Sequence, residues 1–471
     1  MRPAHAPRAV ALRLAALATA TLLAACSNIP KHTLPAPSLA ASFANQPGDA
    51  TKAEPSAQFW QGFQDTQLDA LVAQALQANP ELRVAEANLH EARALSRFAD
   101  AQLMPNVDAV ASAGHQRSRD LTGVPLGTEF YTAGFDVSWE ADLFGRLGDA
   151  RRAAADDVLA SEAGLRFVHV TITSEVARNY FELRGLQERL RVAEASLRTQ
   201  QETLTLVSAR EDAGRGTAFD TERARALVAS TAATVPALES AVLRTRYRIA
   251  VLCGQPPTAL DDELGEPKPL PGLRSVSLGG IGSPESLLRR RPDIQAAERQ
   301  VDAAFARAGA ARGDLFPHVT LGGTIGQNAL TLGTLGDHAS YAYNLGAQLA
   351  WSLLDFGRLR AQVAAADARG DASLASYRQT VLGALEETEG ALATYTRSQR
   401  QAEHLFDAAR AAQSAATIAR QRFSAGVTDF LSVLDAEREE LSARDQLAQA
   451  QTAAATSLVG VYKALGGAWS T

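Results

Sequence analysis

The sequence predicts a mainly α-helical fold with membrane β-strands, built from two tandem copies of a helix–hairpin–helix–helix unit. Three observations predict it. The chain of 471 residues repeats itself at a constant offset, long stretches carry helical spacing of apolar residues, and short stretches alternate apolar with polar residues. The repetition comes first, because it decides how every other element is interpreted.

The duplication keeps a single register of 212 residues over most of the chain. It matches residue types that seldom coincide by chance: Pro80 with Pro292, Trp139 with Trp351, Gly214 with Gly426, and Gly254 with Gly466. No gap is needed between the matched positions. We therefore assign a first repeat to residues 60–254 and a second to residues 284–467. A Pro/Gly-rich connector covers 255–283, and residues 468–471 form a short tail.

The first 25 residues have the features of a bacterial export signal. Three arginines precede an apolar run at 14–25, which is too short to span a bilayer. The string Leu-Ala-Ala-Cys that ends at Cys26 resembles a lipoprotein box, which makes Cys26 the lipidated first residue of the mature chain. An ordinary signal peptide with a nearby cysteine is the alternative. Residues 26–59 then form a Pro/Ala-rich lipidated tether.

Composition and spacing exclude several classes of function. The formal charge is −6, and −9 without the three leader arginines, which argues against a nucleic-acid partner. Only Cys253 follows Cys26, and its context predicts a small packed residue. We find no metal-ligand spacing, phosphate loop or nucleophile–base pair, so the sequence predicts neither an enzyme nor a cofactor. No later segment has 18 consecutive apolar residues, which excludes a helical membrane span.

Each repeat opens with a helix that begins at a proline, Pro80 or Pro292, and closes with two longer helical stretches. Residues 147–212 contain no proline and would measure about 100 Å as one helix. Their apolar residues recur at steps of three and four. In the last helix a coiled-coil spacing of seven joins Leu434, Leu441, Ala448, Ala455 and Tyr462. The helices alone favour a helical bundle without a membrane role.

The short alternating stretches change that interpretation. Four of them are expected as strands, at about 106–115, 130–140, 318–327 and 341–351. In the second and fourth, one face is apolar with aromatics near both ends, and the other face is polar or small. Strands of about ten residues with this pattern cross a bilayer in β-barrels. A soluble sheet with one solvated face shows the same alternation and is the alternative.

Four strands cannot close a barrel, and open sheet edges are not tolerated in lipid. Several chains must therefore contribute strands to one barrel. Two chains would supply eight strands and three would supply twelve, and the count alone does not choose between them.

The combined features resemble the TolC/OprM outer-membrane efflux proteins over residues 26–467, and most of all the lipidated OprM- and NodT-like branch. The resemblance is carried by the lipoprotein box, the duplicated unit, the paired Phe-Gly-Arg strings and the segment FSAGVTDFLSVLDAERE at 423–439. It implies a homotrimer with a twelve-stranded β-barrel, four strands per chain, continued by a long periplasmic α-helical barrel.

The resemblance also implies a function. It predicts a lipid-anchored duct in the outer membrane that passively exports drugs or other small molecules. The expected partners are a periplasmic adaptor and an inner-membrane pump, commonly proton-driven and of the RND type. A type I protein-secretion duct is the alternative within the family, and a coiled-coil scaffolding lipoprotein without a pore is the alternative outside it.

The resemblance places a periplasmic gate just after the turn at Gly426. The positions five and nine residues later hold Leu431 and Asp435, which would form an apolar ring and an acidic ring by three-fold symmetry. Asp429 and Phe430 are further candidates. The alternative for Asp435 is a solvated residue paired with Arg438.

In TolC an aspartate of the first turn is bonded to a tyrosine and an arginine of the second turn. The aspartate matches Asp220, six residues after Gly214, but Phe423 and Thr428 stand in the partner positions and cannot make those bonds. The sequence therefore predicts an OprM-like closure.

The string Trp-x₄-Phe-Gly-Arg-Leu occurs in both repeats where a second strand gives way to a long helix. The tryptophans fit an interfacial aromatic belt, and the glycines permit an unusual backbone at the bend. We expect these residues to form the junction between β-barrel and helix: Trp139, Gly145, Arg146, Trp351, Gly357 and Arg358.

Overall fold

The structure is a computed structural model that describes residues 39–47, 53, 58–119, 125–270 and 280–467. The predicted signal segment, the lipidated Cys26 and the tail at 468–471 lie outside the described residues. Most of the predicted tether and the middle of the connector lie outside them as well.

The helices and strands follow the duplication. The first repeat contains α1 (Thr66–Ala78), α2 (Pro80–Ala101), β1 (Asn106–Arg119), β2 (Pro125–Ala141), α3 (Arg146–Asp212) and α4 (Ala218–Leu252). The second contains α5 (Pro284–Arg290), α6 (Pro292–Gly313), β3 (His318–Ala329), β4 (Tyr341–Ala350), α7 (Arg358–Ser424) and α8 (Phe430–Ala464). Helices α2, α3 and α4 begin and end 212 residues before α6, α7 and α8, so the sequence offset is also the structural offset.

The residues just before α2 and α6 donate to equivalent carbonyl oxygens, but they do so with different side chains. The side-chain Nδ2 of Asn79 donates to the carbonyl oxygen of Leu252 at 2.8 Å. In the second repeat, Nη1 of Arg291 donates to the carbonyl oxygen of Ala464, also at 2.8 Å. Carbonyls at a helix C-terminus lack intrahelical partners, and both repeats satisfy one of them from the residue before the proline. Arg291 in addition forms an ion pair with Glu387 at 2.7 Å.

The four strands form one antiparallel sheet in the order β1-β2-β3-β4. The two hairpins share a register, since Asn106 lies opposite Ser138 in the first and His318 opposite Ala350 in the second. Strands β2 and β3 join the repeats, with Tyr131 opposite Ala329. The predicted strands are therefore present, and the first hairpin is longer than predicted.

The sheet has one apolar and one polar face, as the alternation predicts. On the apolar face, Phe135 is 54 % exposed and Leu345 is 79 % exposed. On the other face, the hydroxyl oxygens of Ser112 and Thr132 lie 2.6 Å apart across the hairpin. Large apolar side chains exposed on one face and hydrogen-bonding groups on the other are the arrangement of a barrel wall with lipid outside and water inside.

The compact units of the chain cut across the repeats, because each draws on both of them. One unit holds the sheet and the adjoining helix segments, in residues 88–119, 125–162 and 296–378. The other holds the remaining helical residues, from 58–87, 163–270, 280–295 and 379–467, together with 39–47 and 53.

The helical unit has a core in which aromatic rings pack between helices. Phe59 stacks on Tyr462 with ring centroids 4.6 Å apart, and Phe63 packs on Phe181 at the same distance. Cys253 is fully buried, and its thiol lies 3.5 Å from the carbonyl oxygen of Leu71. Burial raises the pKa of this thiol to about 12, so Cys253 is the small packed residue that the sequence predicted.

A buried arginine holds the connector against this core. Arg184 is inaccessible to solvent, and its guanidinium donates to the carbonyl oxygen of Glu266 at 2.8 Å and to the side-chain oxygen of Gln187 at 2.7 Å. The guanidinium also lies 4.8 Å from the ring centroid of Tyr180. These acceptors compensate for the removal of the charge from water, which would otherwise be costly.

Helix α4 is the one described helix that is long and apolar enough to cross a membrane by length and composition. Only 17 % of its most apolar stretch is buried in the protomer, and Pro236 lies inside the helix. The sequence has no run of 18 consecutive apolar residues after the leader, and on that ground a membrane-spanning helix was excluded. The mean hydropathy of α4 does not exclude one. Its counterpart α8 has the same length of 35 residues but lacks a comparably apolar stretch.

Candidate gate and barrel junction

The two tryptophans of the repeated string make equivalent hydrogen bonds. Trp139 Nε1 donates to the carbonyl oxygen of Leu103 at 2.9 Å, and Trp351 Nε1 donates to that of Leu315 at 3.1 Å. Each acceptor lies in the turn that leads into the first strand of its hairpin. Each tryptophan therefore connects the end of a hairpin to its beginning, while its apolar ring remains available to an interface.

The glycines of the string stand where the backbone enters the long helices. Gly145 has φ +77° and Gly357 has φ +87°, a region that favours glycine. In the second repeat, the Asp355 carboxylate accepts hydrogen bonds from the backbone N–H groups of Gly357, at 3.0 Å, and Leu359, at 2.8 Å. The string thus contains a left-handed bend followed directly by a helix start.

The arginines of the string have different surroundings. Arg146 forms an ion pair with Glu140 at 2.7 Å. The residue 212 positions after Glu140 is Ser352, and within the described residues Arg358 forms no ion pair. The junction is therefore duplicated in backbone and tryptophan contacts but not in charge.

The turns at the far ends of the long helices are also duplicated. Gly214 has φ +69° and Gly426 has φ +75°. The helix after each turn is capped by the residue three positions beyond the glycine. Thr217 accepts from the Asp220 N–H at 3.2 Å, and Asp429 accepts from the Ser432 N–H at 3.0 Å.

Leu431 and Asp435 are exposed on one face of α8. Leu431 is 42 % exposed, and the opposite face of the helix, with Phe430, Val433 and Leu434, is buried in the protomer. Residues four apart on a helix are neighbours, so the leucine and the carboxylate form one continuous surface. Within the described residues Asp435 has no ion pair with Arg438, although the sequence offered that pair as the alternative.

The other gate candidates have local roles. Phe430 is only 5 % exposed and packs on Phe423, with ring centroids 5.8 Å apart, so its side chain lies in the protomer core and not on the exposed face of α8. Asp429 caps α8, and its hydrogen bonds to Ser432 lower the pKa of its carboxyl group. Asp220 accepts from the Thr217 hydroxyl at 2.7 Å, which places it in its own turn.

A contact that the sequence did not predict joins the two turns. Nη2 of Arg210, at the end of α3, donates to the carbonyl oxygen of Phe423 at 2.7 Å and to that of Ser424 at 3.1 Å. Its guanidinium carbon lies 4.1 Å from the Phe423 ring centroid. No specific sequence signal predicts this contact, because a basic residue in the last turn of a helix also interacts favourably with that helix's own dipole.

A buried charged cluster lies on α8 next to the exposed surface formed by Leu431 and Asp435. The Glu437 side chain is 3 % exposed, accepts from the Thr203 hydroxyl at 2.9 Å and lies 3.5 Å from Arg420. Arg420 is also 3.3 Å from Glu440, which pairs with Arg444 at 3.4 Å. Because Thr203 is on α3 and Arg420 is on α7, the cluster connects three helices.

We expect Glu437→Gln to change how stability depends on pH. Burial raises the pKa of the Glu437 carboxyl group more than Thr203 and Arg420 lower it. The folded state therefore holds this proton more tightly than the unfolded state, so the contribution of Glu437 to stability falls as pH rises above the unfolded pKa. As pH rises from acid to neutral, the unfolding midpoint of the variant should therefore increase relative to that of the wild type.

Circular dichroism melts of the detergent-purified protein across that pH range measure this difference. Glu439→Gln, at an exposed position on the same helix, serves as the matched control and should follow the wild type. A variant curve parallel to that of the wild type would contradict the assignment of the raised pKa to Glu437.

Comparisons with known proteins agree with this architecture. A protein-family model described as "Outer membrane efflux protein" matches residues 71–255 and again 283–467. The chain is 33 % identical over 469 residues to the pyoverdine export outer membrane protein OpmQ of Pseudomonas aeruginosa, covering 97 % of each chain. It is 32 % identical over 467 residues to the solvent efflux pump outer membrane protein SrpC of Pseudomonas putida, covering 95 % of this chain and 97 % of that one.

A solved structure is also similar. The outer-membrane channel OprN superimposes with a TM-score of 0.89 at 38 % identity, covering 94 % of this chain and all of that one.

Proposed function

This chain belongs to the outer membrane efflux protein family, and on that premise we propose that it conducts small organic molecules out of the cell. It is an outer-membrane exit duct of a tripartite efflux system, which works with a periplasmic adaptor and an inner-membrane pump. The resemblance inferred from the sequence is thereby confirmed. So is the predicted fold class, a trimeric twelve-stranded β-barrel continued by an α-helical barrel.

The observation that carries this function is the four-stranded sheet with one apolar and one polar face. Exposed Phe135 and Leu345 suit contact with lipid, whereas Ser112 and Thr132 suit a hydrated lumen. A coiled-coil scaffolding lipoprotein without a pore would not need strands that face lipid on one side and water on the other. Proteins of this family are channels and not enzymes.

The choice of small molecules over secreted proteins rests on the relatives. OpmQ is named for the export of pyoverdine and SrpC for the efflux of solvents. A type I secretion duct has no comparable support among the relatives named above, so small-molecule efflux is the preferred proposal.

Three finer points belong to the same proposal. The pump is of the RND type, as the OprM-like features of the sequence suggest. The chain is anchored by lipid at Cys26, for which the Leu-Ala-Ala-Cys string is the support. The gate is formed by Leu431 and Asp435, whose shared exposed face is the support. Fatty-acid labelling that is lost in Cys26→Ala tests the anchor.

Deletion of the gene from its host tests the transported class. We expect the deletion strain to become sensitive to apolar antibiotics and organic solvents and to accumulate a fluorescent efflux dye, with restoration by the wild-type gene. The set of proteins secreted into the medium should not change. Unaltered dye efflux together with loss of a secreted protein would instead support the protein-secretion duct.

A further inference from the structure

A cavity of about 300 Å³ lies in the helical unit, between α3, α7 and α8. Its floor is apolar and is formed by buried side chains, those of Val192, Ala409 and Ala448. The ring of Phe406 lines it as well and is 51 % exposed. Sites for small molecules have volumes of about 300–1,000 Å³, and this cavity is at the lower end of that range. Its size and floor therefore suit a small aromatic molecule.

The rim of the cavity carries an excess of positive charge. The described residues that line it include three arginines and one carboxylate, namely Arg191, Arg410, Arg444 and Glu188. Arg191 is neutralised by Glu188, which accepts hydrogen bonds from Nε at 2.7 Å and from Nη2 at 2.6 Å. The excess charge therefore belongs to Arg410 and Arg444. An apolar floor below a cationic rim is complementary to an organic anion.

Both of these arginines are available to a ligand. Within the described part of the chain, the guanidinium of Arg410 forms no hydrogen bond, ion pair or ring contact. Arg444 forms an ion pair with Glu440 at 3.4 Å. That distance is longer than the roughly 2.7–2.9 Å of a strong charge-assisted hydrogen bond. A guanidinium donates two parallel N–H bonds to a carboxylate, so each arginine can bind one.

We propose that this cavity binds small aromatic carboxylates, with the ring on the apolar floor and the carboxylate at Arg410 and Arg444. The site is separate from the proposed gate. Counted at about 100° per residue, the α8 residues that line the cavity lie on the side of the helix roughly opposite Leu431 and Asp435. A molecule bound in the cavity therefore does not occupy the surface formed by those two residues.

The floor and the rim depend on side chains that the duplication does not preserve. Ala409 on the floor corresponds to Leu197 in the first repeat, and Arg444 on the rim corresponds to Ala232. A leucine would fill the floor, and an alanine supplies no charge. The duplicated backbone alone therefore does not require a small floor and a cationic rim at this place.

Arg444 connects the cavity to the buried charged cluster. Its partner Glu440 lies 3.3 Å from Arg420, which in turn lies 3.5 Å from the buried Glu437. A carboxylate bound at Arg444 competes with Glu440 for the same guanidinium. Removal of the Glu440 charge should therefore strengthen binding, whereas removal of the Arg410 charge should weaken it.

Photoaffinity labelling of the trimer in a nonionic detergent tests the site. The probe is para-benzoylbenzoate, an aromatic carboxylate that attaches to nearby side chains on illumination, and mass spectrometry of peptides locates the label. We expect saturable labelling within 188–192, 406–413 or 444–451, the segments that line the cavity. Naphthoate should protect these segments from the label, and the cation naphthylmethylamine should not.

Variants of the cavity separate charge from shape. Arg410→Gln should reduce the affinity for naphthoate about fivefold or more, the effect of losing one charge-assisted hydrogen bond. Arg410→Lys, which keeps the charge, should retain most of the affinity. Ala409→Leu introduces the residue of the first repeat and should abolish protected labelling while every charge remains. Because Arg410 is exposed, its variants still test the site if Ala409→Leu does not fold.

Two matched controls address charge in general. Arg400→Gln removes a charge from an exposed position on α7, about 15 Å along the helix from Arg410, and should bind as the wild type does. Glu440→Gln should increase the affinity several-fold, whereas Glu439→Gln, at the exposed neighbouring position, should not. Thermal melts establish that each variant is folded before it is labelled.

The outcomes separate this site from the proposed channel. Protected labelling in the cavity segments, with opposite effects of Arg410→Gln and Glu440→Gln, supports the site. Labelling outside these segments, or labelling that naphthoate does not prevent, overturns it. Equal losses of affinity in Arg410→Gln and Arg400→Gln overturn it as well, because the probe then responds to overall charge. All these results leave the channel function standing, whereas a wild-type trimer that conducts no ions in planar bilayers would overturn that function.

Discussion

Alanine at both Leu431 and Asp435 is expected to raise the ion conductance of the purified trimer in planar bilayers several-fold. The exposed face formed by these two side chains would be repeated three times around the axis, as an apolar ring and an acidic ring. An apolar constriction restricts hydration, and a ring of carboxylates favours cations. Removing both side chains should widen and neutralise the narrowest part of the proposed opening.

The two single variants should change different properties of the channel, namely the size of the conductance and its preference for cations. Leu431→Ala is expected to increase conductance while retaining the preference for cations. Asp435→Ala is expected to reduce the preference for cations, measured as the reversal potential across a salt gradient. Asp435→Glu, which keeps the charge, should preserve that preference. This difference separates a lining role from a general loosening of the helix end.

The duplication supplies a matched control. The counterparts of Leu431 and Asp435 in the first repeat are Phe219 and Arg223, which are likewise near the start of a helix after a turn. Phe219 is 67 % exposed, and Arg223 lies 5.4 Å from its ring centroid. Phe219→Ala/Arg223→Ala should leave the conductance unchanged. Equal increases in both double variants, or an unchanged conductance for Leu431→Ala/Asp435→Ala, would remove these residues from the gate.

Much of the fold could be predicted because the offset of 212 carries structural information. A shared register preserves the positions of prolines, turn glycines and tryptophans, and these residues determine where helices and strands begin and end. Thus Pro80 and Pro292 start equivalent helices, and Gly214 and Gly426 close equivalent turns. Alternation with a period of two then identified the strands and their apolar face.

The tertiary contacts could not be predicted in the same way. The bond from Arg210 to the Phe423 carbonyl oxygen and the burial of Glu437 each join residues more than 200 positions apart. An arginine or glutamate on a long helix is usually solvated, and only the packing of neighbouring helices changes that. Phe430 is the reverse case, an expected surface residue that packs into the core. It is adjacent to the exposed Leu431, but one residue further along a helix turns the side chain by 100°, into the core.

Equivalent positions in the two repeats do not always carry the same side-chain chemistry. Asn79 and Arg291 reach equivalent carbonyl oxygens with different side chains. Arg146 has a carboxylate partner, but its counterpart Arg358 has a serine where that carboxylate would be. The backbone framework is therefore the duplicated feature, while the charges at the barrel junction differ between the two repeats.

Substitution of Gly254 by alanine is expected to destabilise the helical unit far more than the same change at Gly214. Both residues have a left-handed backbone, with φ +70° and +69°, so alanine adds a similar conformational cost of about 1–2 kcal/mol at each. Their surroundings differ. No atom lies within 4 Å of a side chain at Gly214, whereas a side chain at Gly254 would lie 2.3 Å from the Ala78 carbonyl oxygen.

That carbonyl belongs to the end of α1 and cannot rotate away as a side chain would. Gly254→Ala should therefore lose about 3 kcal/mol or more, the sum of the backbone cost and of the overpacking. Gly466→Ala provides an intermediate case, because its nearest neighbour is the Arg291 side chain at 2.9 Å. Thermal melts of the detergent-purified protein should thus rank the three variants with Gly214→Ala the most stable and Gly254→Ala the least. If Gly254→Ala does not fold, the order of the other two still tests the argument. Equal midpoints for Gly214→Ala and Gly466→Ala would show that backbone conformation alone, and not close packing, requires glycine at these positions.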